Sequence, residues 1–474
     1  MNILQAIIDG ALFGRFFEGG DTWRSWFTVL RCIFGLPLGA DEFALFAKCT
    51  GRARPFEKPI TEGWLICGRR SGKSFIAALI AVYLAAFRDY TPYLAPGERG
   101  VVMVLAVDRD QAKVIFRYIV AFFEAVPMLA EMIVARTSDT LELSNRIAIE
   151  VQTSSFRSVR GRTLVAALCD EIAFWRDDSS ANPDEAVLDA LRPAMATIPG
   201  ALLLCLSSPY ARRGALFKAV EKHFAQDRSD VLIWRAETLT MNPTIPASTV
   251  QRAYEDDPTA AASEYGAEFR SDVQAFLDEE WISDAIDVGC HERAPMSRST
   301  KYVCFVDPSG GKRDSFTFGV AHRSGESLVL DIAREWRAPL DPGPVVDEIA
   351  TIVKPYGITR VTGDAYGGAW PQNAFRAAGL AYEVSEASRS EIYLETGPLL
   401  AQGRIRLVDN PRLAAQLRQL ERRTSRSGRD SVNHPPGGHD DVANAALGAL
   451  WLASKLSARA ASTHGLRRFA YAEM

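Results

Sequence analysis

Three groups of residues in this 474-residue chain have the types and spacing of chemistry. The first is GRRSGKS at 68–74, between the apolar run WLICG and the stretch Phe75 to Phe87. A glycine turn that leads from a strand into a helix is a phosphate cradle. Gly72 lets backbone N–H groups approach an anion, and the helix N-terminus favours negative charge. Lys73 reaches β- and γ-phosphates, and the Ser74 hydroxyl suits Mg²⁺. The loop departs from G-x-x-x-x-G-K-[ST]. Cys67 stands five positions before Gly72, the first glycine, Gly68, comes one residue late, and Arg69, Arg70 and Ser71 fill the turn. The second group ends the apolar run LVAALCDE in two acids. Asp170 suits an outer contact to Mg²⁺, and Glu171 suits the polarisation of an attacking water. Together the two motifs point to ATP hydrolysis. Ser207 and Ser208 end a further apolar run, ALLLCLSSP, at what should be the same sheet edge. RSVRGRT brings Arg157, Arg160 and Arg162 just upstream of the acid pair. A basic loop there binds DNA, acts on a neighbouring subunit's phosphate through Arg160, or is ordinary surface.

The third group is three separated acids. Asp307 ends YVCFVD, Asp364 ends RVTGD, and Asp440 and Asp441 open a helix in GGHDDVANAALGAL. Three close-spaced strands, a helix and a fourth strand place the first and fourth strands side by side, so Asp307 and Asp364 should be neighbours. Converging carboxylates repel unless cations neutralise them. Two Mg²⁺ or Mn²⁺ ions ~4 Å apart would do so and activate water for in-line phosphodiester attack. Asp441 is the preferred third ligand over Asp440, which also fits a helix N-cap. His439 is either an assistant to metal or leaving group, or exposed loop. Eight arginines between 404 and 429 (Arg404, Arg406, Arg412, Arg418, Arg422, Arg423, Arg426, Arg429) face only Asp409 and Glu421 in sequence. RRTSRSGR reads as a mobile basic loop for DNA phosphates, with a solvated helix face as the alternative.

The elements that must position these groups follow from hydropathy. Apolar strands at 64–68, 101–107, 164–171, 201–208 and 231–238 alternate with helical stretches, the pattern of a parallel sheet covered on both faces. An aromatic helical segment, 1–59, precedes them. The acidic stretch SDVQAFLDEEWISDAIDVG and the loop after it mark a linker at 271–299. Strands 302–308, 315–323 and 327–336 form an antiparallel meander. A helix over 343–354, strand 360–365, further helices, strand 404–409, an Arg-rich helix and a last helix from Asp441 complete a βββαβαβα order. The expected fold is α/β. An N-terminal ATPase domain, 60–270, carries a parallel sheet around the phosphate loop, and a nuclease domain, 300–474, carries a mixed one.

Composition sets bounds. Hydrophobic residues are 47% and charged residues 24%, which excludes disorder, collagen and coiled coil as the main state. The longest apolar run, 13 residues, is too short to span a bilayer. MNILQAIIDG lacks a basic n-region, so no secretory leader is expected. The net charge of -4 hides an asymmetry: residues 301–474 carry 22 Lys+Arg against 19 Asp+Glu, and residues 1–300 carry 32 against 39. The 7 cysteines form no C-x-x-C pair. Cys67, Cys169, Cys205 and Cys304 sit in strand-like runs and read as buried thiols in a reducing cytoplasm.

The order and separation of GRRSGKS, LCDE, SSP (207–209), VDPSGG, TGDAYGG and HDDVANA resemble those of large terminase subunits. These are the packaging motors of tailed bacteriophages and related gene-transfer particles. The resemblance covers about residues 20–455, and the deviant loop is a usual variant there. It implies a P-loop (ASCE-type) ATPase domain joined to an RNase H-like nuclease domain, with ATP-driven translocation of double-stranded DNA and cutting of concatemers. It also implies nucleotide binding by Gly68 to Ser74, Mg²⁺ (or Mn²⁺) at both sites, and coupling through Ser207-Ser208-Pro209. Arg160 matches a trans-acting finger, and Trp23 to Leu36 the adenine-side segment. Implied partners are a small terminase subunit and the portal protein, in a ring on the portal and as a monomer in isolation, in the bacterial cytoplasm and without a membrane. A helicase-nuclease or repair ATPase is the rival, and no second RecA-like domain follows residue 240 to favour it.

Overall fold

The computed structural model describes residues 1–154, 161–175, 183–297, 299–312, 314–364, 369–424, 429–435 and 438–456. The chain divides into two units, Met1–Val273 and Gln274–Met474.

The first unit is built on one sheet of eight strands. They are β1 (Glu62–Cys67), β2 (Gly100–Ala106), β3 (Ile133–Arg136), β4 (Thr140–Leu143), β5 (Ile147–Thr153), β6 (Thr163–Asp170), β7 (Leu202–Ser207) and β8 (Val231–Ala236). The order is β3-β4-β5-β2-β6-β7-β1-β8, and all neighbours from β5 to β8 are parallel. Parallel strands are covered on both faces, which is why β1, β2, β6 and β7 are buried almost throughout. The helix Lys73–Phe87 is apolar all round, as a helix sunk in a core must be, and 11 of its 15 residues are buried. β7 stands between β1 and β6, the arrangement of an ASCE-type P-loop domain, so the expected fold class holds. The antiparallel β3–β4–β5 edge has no counterpart in the sequence reading. β3 and β4 have four residues each, β3 is largely exposed, and Glu150 and Gln152 interrupt β5, so no apolar run announces the edge. The aromatic N-terminal segment belongs to this unit, with Trp26, Val29, Leu30 and Ile33 in its core.

The second unit carries a seven-stranded mixed sheet and a hairpin. After β9 (Val273–Ala275) come β10 (Ile286–Asp287), β11 (Tyr302–Asp307), β12 (Phe316–Ser324), β13 (Ser327–Trp336), β14 (Arg360–Gly363), β15 (Ala381–Val384) and β16 (Ile405–Val408). The hairpin is β17 (Glu421–Thr424) with β18 (Asp430–Asn433). The sheet order β10-β16-β13-β12-β11-β14-β15 contains the RNase H-like core β13-β12-β11-β14-β15, extended at one edge by two parallel strands. Hydropathy alone makes strand 404–409 the successor of the fourth strand in that core. The fifth core strand is instead β15, whose short and largely exposed AYEV gives no hydropathic signal. The 271–299 linker is likewise corrected. Helix Glu279–Ala285 carries its acids outward and buries Ile282 and Ala285 in the core of this unit.

The last helix, Asp441–Lys455, crosses β11, β12 and β13 at close range. A Cβ on Gly319 would lie 2.6 Å from Ala445 O, and one on Gly448 would lie 2.4 Å from Phe305 Cγ. Two absent side chains therefore set how near the helix lies to the sheet. All seven cysteines are free, and the four in strand-like runs are buried. Among the described residues no helix is long and apolar enough to cross a membrane.

Candidate functional site

The phosphate loop is held from three sides. Gly72 has φ 95° and Arg70 φ 62°, both left-handed, a conformation that costs a non-glycine residue and needs support. Asn242 Nδ2 donates to Arg70 O at 2.7 Å, and Trp26 Nε1 donates to Ser71 O at 2.7 Å. Gly68, the displaced glycine, has its own reason. A Cβ there would lie 2.2 Å from Thr238 Oγ1 and 2.7 Å from Tyr265 O. It is a packing residue that lets the segment after β8 close on the loop, where Thr238 Oγ1 donates to Arg69 O at 2.9 Å. Arg69 pairs with Glu264 at 3.0 Å.

The sequence-predicted catalytic groups converge above β1, β6 and β7. Lys73 is 5% exposed. Its ammonium donates to Cys67 O (3.0 Å), Gly68 O (3.2 Å) and Ser208 Oγ (3.1 Å), and lies 3.4 Å from Glu171 Oε1. Ser74 Oγ donates to Asp170 Oδ2 at 3.0 Å. Asp170 Oδ1 is buried without a partner. Burial, and after it the charge of Glu171, pushes the Asp170 carboxyl well above the usual range, as expected for a group that desolvation leaves unneutralised. An orphaned buried carboxylate oxygen beside a serine hydroxyl fits a hard divalent cation. Glu171 sits at φ 51°, and its Oε2 accepts Ser207 Oγ and Ser208 N, both at 3.1 Å. Ser207 thus touches the acid and Ser208 both acid and lysine. Pro209 O accepts Ser263 Oγ at 2.7 Å, which ties the SSP turn to the helix Pro258–Glu264. Arg160 and Arg157 lie outside the described residues. Arg162 pairs with Glu150 at 3.1 Å.

The segment Trp23 to Leu36 buttresses the loop from behind. Trp26 spends its indole N–H on Ser71, and Trp23 packs on Phe75 with ring centroids 5.3 Å apart. The cleft over the loop, about 810 Å³, is lined instead by Phe75, Gln111, Val114, Tyr118, Asn242 and Ile245, among others. Asn242 carries no signal in the sequence because its partner is a backbone carbonyl 172 residues away.

In the second unit, β11 pairs with β14 in parallel, Val306 opposite Gly363, so Asp307 and Asp364 emerge at the same sheet end. Gly363 is required there: a Cβ would lie 2.6 Å from Tyr382 Oη and 2.7 Å from Val306 O. Asn444 Nδ2 donates to Asp307 Oδ2 (2.8 Å) and Asp364 Oδ2 (3.0 Å), so one amide bridges both acids. Burial, then the neighbouring Asp364, pushes Asp307 up to about 8. Burial also raises Asp364 and takes Asp441 up to about 6. Three carboxyls that resist ionisation together are what a cation would relieve.

Asp440 and Asp441 separate by environment. Asp440 is buried, accepts Arg389 Nη1 at 2.6 Å and Tyr393 Oη at 2.9 Å, and has its charge matched. Asp441 Oδ2 is buried with no partner. A cleft of about 340 Å³ lies over Asp307, Asp364, Asp440 and Asp441, with Arg389 and the exposed His439 at its walls. Among the described residues no three side chains of His, Cys, Asp or Glu stand in ready metal-binding geometry. Asn444 is one helical turn beyond Asp441, on its face. That spacing, i and i+3 after an acidic helix start, was the available signal. Arg389 and Tyr393, one turn apart on another helix, had none.

The Arg-rich tract is corrected. Arg404 pairs with Glu326, Arg406 with Asp287, Arg412 with Glu335, Arg418 with Glu279, Arg422 with Asp430 and Arg423 with Glu421. Four of these acids, Glu326, Asp287, Glu335 and Glu279, come from elsewhere in the chain, and a local charge count misses them. The tract expected as a mobile loop is the β17–β18 hairpin on either side of 425–428. Arg426 lies outside the described residues.

A family model described as "Uncharacterized protein MJ0330, N-terminal P-loop domain" matches residues 43–267. The first unit is a P-loop domain. No curated protein matches the chain. Solved structures that resemble it include the HK97 bacteriophage large terminase, at 15% identity and TM-score 0.36, covering 92% of this chain and 99% of that one. A large terminase from a thermophilic bacteriophage, in complex with ADP, has 10% identity and TM-score 0.36, covering 84% and 94%. The large terminase nuclease from thermophilic phage G20c has 16% identity and TM-score 0.33, covering 38% and 97%.

Proposed function

We propose that the chain is an ATP-driven motor for double-stranded DNA with a metal-dependent endonuclease in its second unit, a large terminase subunit. One observation carries the reading. A P-loop centre in which Lys73, Glu171, Ser74 and Asp170 are within bonding reach shares a chain with buried acids converging at neighbouring strand ends in RNase H order.

In the first centre the backbone amides of 69–74 and the Lys73 ammonium bind the β- and γ-phosphates. Ser74 and Asp170 are the groups that would hold Mg²⁺, which supplies charge neutralisation at the phosphates. Glu171 takes the proton of the attacking water, and Ser207 and Ser208 hold its carboxylate in place. Because the SSP turn is bonded to the segment around Ser263, a change at Glu171 on hydrolysis reaches elements outside the site, which is the requirement for coupling to movement. In the second centre Asp307, Asp364 and Asp441 would hold Mg²⁺ or Mn²⁺, which supplies Lewis acidity and an activated water. Asn444 keeps the first two acids in register, and Asp440 anchors the helix start through Arg389 and Tyr393. Assembly with portal and small-subunit proteins is part of the same proposal.

The test separates the centres. Lys73→Ala abolishes ATP hydrolysis and leaves metal-dependent cleavage of plasmid DNA. Asp307→Asn does the reverse. Cleavage that survives Asp307→Asn in purified protein removes the nuclease assignment.

A further inference from the structure

We propose that the adenine base of the nucleotide is held by the helix Arg109–Ala125, with Tyr118 as stacking platform and Gln111 as the group that reads the base. This deepens the ATP-binding reading and rests on it.

The cleft over the phosphate loop continues past Ser74 onto a wall made by Phe75, Val114 and Tyr118, with Ile245 also lining it. Tyr118 is 39% exposed, yet its ring is not free to wander. It meets Phe75 edge-on at 5.4 Å, and Phe75 in turn packs on Phe122 (5.1 Å), Trp23 (5.3 Å) and Phe17 (5.7 Å). Tyr118 is therefore the solvent-facing end of a fixed aromatic cluster. A rigid, partly exposed ring beside a phosphate cradle offers a base a stacking surface at little ordering cost.

The polar groups along this wall are mostly occupied. Asp108 caps the helix through Asp110 N and Gln111 N. Asp110 pairs with Lys113, and Asn242 spends its amide on Arg70 O and Thr244. Gln111 is exposed and lines the cleft, one helical turn from the wall residue Val114. A carboxamide offers one donor and one acceptor side by side. That pattern matches the N6–H and N7 of adenine, whereas guanine presents two acceptors, O6 and N7, on the same edge. The N-terminal tryptophans, the expected base-side residues, support the loop from behind and leave this wall as the base subsite.

The experiment is calorimetric titration of the full chain with ATP, GTP and inorganic tripolyphosphate, each with Mg²⁺. Tyr118→Ala is expected to weaken ATP about tenfold while tripolyphosphate binds unchanged, and Tyr118→Phe should match the parent. Gln111→Ala should bring ATP and GTP to equal affinity. ATP binding unchanged in Tyr118→Ala overturns the proposal. So does an equal loss for ATP and tripolyphosphate, which would make Tyr118 a prop for the loop. If the parent chain binds neither ATP nor tripolyphosphate, the P-loop reading itself falls, and the base subsite with it.

Discussion

Replacing Gly448 by alanine sets two physical effects against each other. In a helix interior alanine is favoured over glycine by about 1 kcal/mol, so propensity alone predicts a more stable protein. Gly448 lies in the middle of Asp441–Lys455. Its added Cβ would stand 2.4 Å from Phe305 Cγ and 2.5 Å from Phe305 Cδ1. Phe305 is fully buried on β11, two residues before Asp307, in an interior packed to near-crystalline density. Overpacking of this kind costs about 1–3 kcal/mol, which cancels or exceeds the gain. The cheaper escape is for the helix to lift from the sheet, and that carries Asp441 and Asn444 away from Asp307 and Asp364. A misplacement of about 1 Å costs on the order of 100-fold in rate. The expected result for Gly448→Ala is therefore a melting temperature equal to or a few degrees below the parent's. DNA cleavage should fall about 100-fold and ATPase should stay unchanged. Cleavage at the parent's rate, or a clear rise in melting temperature, would show that close helix–sheet approach does not set the geometry of the acids.

Asp440 and Asp441 should part company. Asp440→Asn weakens the buried contacts to Arg389 and Tyr393 and should cost about 1–3 kcal/mol of stability, seen as a lower denaturation midpoint. Asp441→Asn should abolish cleavage yet leave stability equal or higher. A carboxyl raised by burial binds its proton more tightly folded than unfolded, so its ionisation at neutral pH opposes folding. The reverse pattern in the two variants would exchange their roles. At Asp287, partial burial pushes the carboxyl up, but hydrogen bonds from Arg406 and Arg293 outweigh it and leave it below the usual range. Its contribution is present above the unfolded carboxylate pKa, about 4, and lost as pH falls below it. Asp287→Asn should therefore narrow the stability difference between about pH 7 and about pH 3 in circular-dichroism titrations. An unchanged pH profile would refute the assignment.

What the sequence determined by itself is local chemistry and its order. The strand-to-helix turn around Lys73, the acids closing β6 and β11, and the apolar runs of buried parallel strands are each specified within a short stretch of chain. Hydrophobic periodicity and the short reach of a glycine turn decide such features without help from the rest of the molecule. The two strand systems, one parallel and one opening on an antiparallel meander, were also legible there, because a buried strand cannot hide its apolar run. Tertiary structure alone decided the rest. The sequence did not show that Asp441, not Asp440, has an unpaired oxygen, since that depends on Arg389 and Tyr393 arriving from another helix. Nor did it show that the arginines of 404–423 are neutralised, because acids as far away as Glu279 and Glu326 do it. β15 and the β3–β4 edge escaped notice because strands of four residues owe their state to pairing with a neighbour, not to their own hydropathy. Asn444 bridges two acids 137 and 80 residues away. Contacts of that kind exist only once the sheet has closed, and the energies that select them are set by burial, which no single stretch of sequence contains.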